Sequence, residues 1–153
     1  MANTYTQLYI HIVFTVKGRQ NLIQKQWREE LHKYICGIVN RQNEKVYAIG
    51  GVADHVHILI SIKPYIAISD LVREIKANSS KWVNGKRFVL GKFEWQEGFG
   101  AFSYAQSQLN AVINYINTQE HHHKNKTFKE EYLDLLSKFS IEYEEKYLFD
   151  WIE

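Results

Sequence analysis

Asp54-His55-Val56-His57-Ile58-Leu59-Ile60 places two imidazoles two residues apart inside an aliphatic run. In a strand, residues i and i+2 share a face with Cα atoms roughly 6–7 Å apart, so both rings can converge on one divalent cation while Val56 packs behind them. The spacing alone also describes a solvated histidine pair, and His121 with His123 repeats it. Far along the chain, Tyr115 and Gln119 stand four residues apart and project from one side of a helix. A phenol beside a metal can attack phosphorus, because it ionises more easily than an aliphatic hydroxyl and the cation offsets charge on the phosphate oxygens. The glutamine amide oxygen can complete the metal's shell. By residue type alone, Tyr115 packs at the edge of a core and Gln119 is an exposed helix former.

Five cations, Lys17, Arg19, Arg73, Lys76 and Lys81, can hold phosphates, although a few exposed cations are ordinary surface unless they cluster beside the histidines. His121-His122-His123 follow the tyrosine, where imidazolium suits the negative end of a helix dipole. A solvated terminus is the simpler reading there, and nucleic-acid contact, with His122 as the candidate, is the other. Trp82 and Trp95 can stack bases, but their spacing fits core packing better.

These side chains need a scaffold. Thr4 to Lys17 mixes alternation with β-branched and aromatic residues and predicts a long first strand. Lys25 to Asn43 carries apolar residues at helical spacing from Trp27 to Val39. Val46 to Ala53 and His55 to Ile62 read as strands joined tightly at Asp54. Ile68, Leu71, Val72, Ile75 and Trp82 stripe a second helix that Asn84-Gly85 can close. Short extended pieces surround Gly98 and Gly100. Ser103 and Gln106 form a capping box for a third helix running to about His121, and Thr127 with Glu130 opens a fourth through Tyr132 to Phe139, ahead of an aromatic tail. The order strand, helix, strand, strand, helix, strand, helix is a split βαβ pattern. Its leading solution is an α+β ferredoxin-like sandwich, an antiparallel sheet with helices packed on one face, plus a C-terminal helical tail.

The 153 residues are 45% hydrophobic and 24% charged with one proline, which suits one packed domain and excludes disordered, collagen-like and repeat classes. Residues 126–153 then form a helical extension of a domain covering 1–153. The apolar run Leu8 to Val16 is interrupted by His11 and too short to span a bilayer, and the lone Cys36 can form neither an internal disulfide nor a CxxC site. A cytoplasmic protein without a membrane partner is expected. Residues 1–100 carry 14 Lys and Arg against 8 Asp and Glu, whereas residues 101–153 carry 5 against 9. The basic front favours a polyanionic partner, though it is also what a solvated face looks like.

His55-Val56-His57, the helix segment Tyr115-Ile116-Asn117-Thr118-Gln119 and the intervening Trp95-Gln96-Glu97-Gly98-Phe99-Gly100-Ala101-Phe102-Ser103 together resemble the HUH single-tyrosine transposases. These are the insertion-sequence-200-like enzymes and the REP-associated tyrosine transposases. His11-Ile12-Val13-Phe14 with Lys17 and Arg19, and Ile75-Lys76-Ala77-Asn78-Ser79-Ser80-Lys81-Trp82, resemble further family segments. Tyr104-Ala105 departs from the small polar or aliphatic pair expected after Ser103.

The resemblance implies a ferredoxin-like enzyme that cuts and rejoins single-stranded DNA. Residue by residue, it makes His55, His57 and Gln119 the metal ligands and Tyr115 the nucleophile that forms a 5′-phosphotyrosine. It further implies magnesium or manganese, no nucleotide cofactor, hairpin-forming single-stranded DNA as partner, and a homodimer whose active sites are shared between chains. The competing expectations are a non-catalytic ferredoxin-like nucleic-acid-binding module, a domesticated relative, or a scaffold dimer. Convergence of His55, His57, Gln119 and the Tyr115 hydroxyl on one cleft separates the first reading from the others.

Overall fold

The computed structural model describes residues 3–152. Strand β1 (Leu8–Thr15) leads through helix α1 (Lys25–Arg41) to β2 (Lys45–Gly51) and β3 (His55–Ile62), then α2 (Ile68–Lys86) and β4 (Gly100–Tyr104). Helices α3 (Leu109–Asn117), α4 (Gln119–His122) and α5 (Phe128–Lys138) follow. The strands form one antiparallel sheet in the order β2-β3-β1-β4, the α+β arrangement expected from the element order.

β1 and β3 lie in the middle of the sheet and are covered on both faces, which is why they read as near-continuous apolar runs. Ile12, Val13 and Phe14 in β1 and Ile58, Leu59 and Ile60 in β3 are all fully buried. Antiparallel register sorts them into two faces. Ile10 opposite Ile60, Ile12 opposite Ile58 and Phe14 opposite Val56 form the face under α1 and α2. His11 opposite Leu59, Val13 opposite His57 and Thr15 opposite His55 form the other. α1 and α2 therefore occupy one face, as expected. The later helices cover the second face, because its apolar residues also need a partner layer. There Val112 and Ile116 of α3 pack on Ala48 and Leu59, each large aliphatic side chain contributing about 1.5–3 kcal/mol by burial. The approach is close at Gly50, where a Cβ would stand 2.1 Å from the Ile116 carbonyl oxygen.

Three boundaries differ from the sequence pattern for local reasons. Ser103 is paired with Ile10 in β4, so it cannot cap α3; the preceding turn is closed instead by Gln108 Oε1, which accepts the Ala105 N–H at 2.9 Å. The helix expected to reach His121 breaks at Thr118, whose hydroxyl donates to the Asn114 carbonyl at 2.8 Å, a back-bond that bends helices. α2 continues past Asn84-Gly85 to Lys86 and ends on Arg87 in a left-handed conformation, φ 56°. Asn84 serves another end, accepting the Phe93 N–H at 2.7 Å and donating to the Phe93 carbonyl at 3.2 Å. The capping box expected at α5 is present, Thr127 accepting the Glu130 N–H at 3.2 Å.

Among the described residues, no helix is long and apolar enough to cross a membrane.

His32 on α1 gives the fold an acid sensitivity. Its Nε2 is buried without a hydrogen-bond partner, and burial, reinforced by Arg28, pulls its pKa from 6.5 down to about 4. The unfolded chain binds this proton more readily, so the stability that His32 gives by staying neutral is complete above pH 6.5 and is lost as pH falls towards 4. Unfolding free energies from urea titrations at pH 7.5 and 5 should differ by roughly 1–3 kcal/mol more in the wild type than in His32→Gln; equal differences would show that His32 is not the responsible group.

Candidate active site

β3 alternation puts His55 and His57 side by side on the sheet face that α3, α4 and α5 cover, and both are fully buried. His57 Nδ1 lies 2.7 Å from His11 Nε2, with the two rings stacked at 4.9 Å. His55 Nδ1 lies 2.7 Å from Asp54 Oδ1, and its ring stacks on Phe128 at 4.1 Å. Each imidazole therefore turns its Nε2 towards the covering helices.

What meets them is Glu131 of α5, buried to 4% exposure. Its Oε1 lies 3.0 Å from His57 Nε2, 3.3 Å from His55 Nε2 and 3.0 Å from His123 Nε2. Its Oε2 accepts hydrogen bonds from the Tyr115 hydroxyl and from Gln119 Nε2, the latter at 3.1 Å. Gln119 Oε1 is 3.1 Å from both His55 Nε2 and His123 Nε2. The four groups singled out by spacing, His55, His57, Tyr115 and Gln119, thus converge within one chain. Glu131 and His123 join them, and His11 supports them from behind.

The hydrogen bonds indicate what this pocket is built to hold. His123 Nδ1 faces the Lys126 carbonyl at 2.7 Å and must donate to it, so a neutral His123 presents a lone pair at Nε2, towards two oxygens. With Nδ1 donating to Asp54, a neutral His55 does the same. Lone pairs and oxygens crowded together call for a proton or a cation between them, and a ring whose far nitrogen donates to a carboxylate or carbonyl is the usual support of a metal-bound histidine. The ligand atoms of His55, His57 and Glu131 all lie within 4.8 Å of one another. This donor set fits a divalent metal.

Without a cation, protons do the balancing. Burial lowers the His55 pKa, but the Asp54 and Glu131 carboxylates outweigh it and raise it to about 9. Burial wins at His57 and His11, which stay neutral. Burial opposes ionisation of Glu131, yet hydrogen bonds from His123, His55 and His57 hold its carboxyl well below the usual range. Burial and the adjoining Glu131 charge push the Tyr115 phenol well up, so it serves as a hydrogen-bond donor.

The cations singled out by sequence are dispersed. Lys76 donates to the Gln96 and Gly98 carbonyls at 2.8 and 2.6 Å and sits over Phe14, on the opposite sheet face from the histidines. Arg73 pairs with Asp70 at 3.1 Å, also on α2, where Lys81 is exposed. Lys17 lies 3.9 Å from Glu94. Arg19 does reach the site's surroundings, lining a cleft of about 1020 Å³ that runs past Asp54 and His123 and also holds Lys25, Arg28, Lys124 and Lys129. His122 packs against Tyr115 with ring centroids 4.9 Å apart, its Nε2 3.1 Å from the Thr118 hydroxyl. Trp82 stacks on Tyr34 at 4.8 Å, and Trp95 donates to Ser79 at 2.9 Å within the core.

Glu131 was not singled out by sequence, and His123 was read only as part of the His121-His122-His123 run, as a solvated terminus or a nucleic-acid contact. One signal was there for Glu131: with Phe128, Tyr132 and Leu135 it occupies the buried stripe of α5, where a carboxylate needs a reason.

The family described as Transposase IS200 like matches residues 4–119. The ISDra2 transposase TnpA of Deinococcus radiodurans is 24% identical over 118 residues, 74% of this chain and 84% of that protein. A solved structure of a candidate transposase from Deinococcus radiodurans R1 superposes with a TM-score of 0.61 at 18% identity, over 76% of this chain and 93% of that one. A REP-associated tyrosine transposase bound to a REP hairpin does so with a TM-score of 0.56 at 15% identity, over 76% and 68%. These two likenesses speak for the fold.

Proposed function

The chain belongs to the IS200-like transposase family, and on that premise we propose that it nicks and rejoins single-stranded DNA at hairpin-marked ends through a 5′-phosphotyrosine at Tyr115. The observation that carries the reading is the meeting of the Tyr115 hydroxyl with the His55 and His57 imidazoles around Glu131.

Tyr115 Oη attacks the scissile phosphorus in line, its proton passes to water, and the bond from phosphorus to the 3′ oxygen breaks. The departing 3′ oxygen takes a proton from water. The bond energy is kept in the phosphotyrosine, so a 3′-hydroxyl from another strand can reverse the step and complete a transfer. His55, His57, Gln119 and Glu131 Oε1 would hold a divalent cation, whose positive charge offsets that on the phosphate oxygens. The share of imidazole nitrogen in this set favours manganese over magnesium. Arg19, Lys25, Lys124 and Lys129 in the adjoining cleft would take the phosphates of the strand. The whole chain would act as one domain, α5 included, since α5 brings Glu131.

Oligonucleotides carrying the ends that flank the gene test the reading: single strands with hairpins should be cut and perfect duplexes left intact, because the nucleophile and the ligands lie on opposing helix and strand and admit only a splayed strand. Equal cutting of duplex would refute it.

The complete set within one chain supports a site made in cis. Sharing between two chains of a homodimer, as the resemblance implies, would require Tyr115 to leave its own Glu131. Mixing His57→Ala with Tyr115→Phe should therefore restore no activity; recovery in verified heterodimers would establish sharing.

A further inference from the structure

Beside Tyr115, a second cavity of about 470 Å³ lies between α3 and α5, within the 300–1,000 Å³ common for small-ligand sites. Its walls are Tyr104, Ala111, Val112 and Leu135, and it reaches both Tyr115 and Glu131. Tyr104 offers a half-buried aromatic ring, braced edge-on by Phe139 at 5.3 Å. Gln108 and Ser107 stand at its exposed side. Gln108 uses its amide oxygen on the Ala105 N–H, which leaves its NH2 donors for a ligand. Lys126, Asp134 and Lys138 also line the cavity; Lys126 is ion-paired with Asp134, and Lys138 Nζ lies 5.5 Å above the Tyr104 ring.

An aromatic face, aliphatic walls, hydrogen-bond donors on one side and the Lys138 ammonium at hand together suit a flat heterocycle attached to a phosphate. In-line attack supplies the need for such a place. A phosphate can be reached from the side opposite its leaving group only if its two nucleotides are spread apart, so at least one neighbouring base must leave the stack and be housed close to Tyr115. The cavity is continuous with the groups that meet the phosphate, and Tyr104 is the residue at which the sequence departs from the family pair.

We propose that this cavity binds the base of a nucleotide flanking the phosphate attacked by Tyr115 and reads it through Gln108 and Ser107. The inference rests on the nuclease reading given above. It adds a specificity pocket in protein, separate from whatever recognises the hairpin.

Single-stranded oligonucleotides that carry each of the four bases, or an abasic sugar, on either side of the mapped cut separate the two. Wild-type protein should cut its preferred strand at least tenfold faster than the strand abasic at that flank. Ala111→Trp fills the cavity from an exposed helix position, and should bring that ratio close to one. Gln108→Ala should flatten the ranking among the four bases by about tenfold, the scale of a lost base-edge contact. The ratios are internal to each protein, so a general loss of fold or activity does not imitate the effect. If wild-type protein cuts the abasic strands as fast as the base-bearing ones, or if Ala111→Trp slows both by one factor, the pocket does not read the base. If no strand is cut with manganese present, the nuclease reading falls and the pocket's role falls with it.

Discussion

Tyr115→Phe should abolish the covalent protein–DNA adduct while leaving the fold and DNA binding in place. Only a hydroxyl is lost, from a half-buried position on α3. Glu131 keeps the Gln119 N–H at 3.1 Å and the imidazoles of His57 and His123 at 3.0 Å, so its buried charge is not orphaned. Stability should fall by no more than about 1.5–3 kcal/mol, the worth of one hydrogen bond to a charged group. Cleavage should fall by at least ~10⁴-fold, as when other covalent catalysts lose their nucleophile. A denaturing gel reads the adduct directly. Undiminished adduct would overturn the assignment and turn attention to Tyr104, which lines the neighbouring cavity. Tyr132 is the weaker substitute, since its ring is buried in the core against Phe128 and Phe149.

His57→Ala and chelation should each remove cleavage by at least ~10²-fold, the upper end of what is seen even for supporting groups of a metal site. Manganese should restore the chelated wild type and fail to restore His57→Ala. A second readout does not depend on catalysis. A cation that binds the folded chain raises its melting temperature, increasingly as its concentration exceeds the dissociation constant, so manganese should stabilise the wild type and leave His57→Ala unmoved. Full activity in EDTA would refute a metal role for the pair.

Strand periodicity was enough to place His55 and His57 on one face, because β alternation is local and β3 is regular. The i,i+4 relation of Tyr115 and Gln119 survived the break at Thr118, since α4 resumes at once. Only the place of Glu131 in the stripe of α5 was legible; its partners were not, for two reasons. It lies beyond the matched residues 4–119, and its meeting with the histidines depends on how the C-terminal helices fold back over the sheet, a long-range packing outcome. Charge sums misled in a similar way. The front of the chain is basic, yet Lys76, Arg73 and Lys81 ride on α2 behind the sheet, while the acidic C-terminal part contributes Lys124 and Lys129 to the cleft. Net charge of a segment says little about which of its residues share a surface.

The bare backbone of Gly50 acts as a clearance between two halves of a machine. Sheet and α3 touch there with no room for a methyl group, so any other residue would work as a shim, prising the tyrosine away from the histidines while leaving every reactive group in the sequence. A lineage could fall silent by that one step and still display a perfect set of motifs. In relatives of this chain, dormancy is therefore better judged at the spacer than at the chemistry.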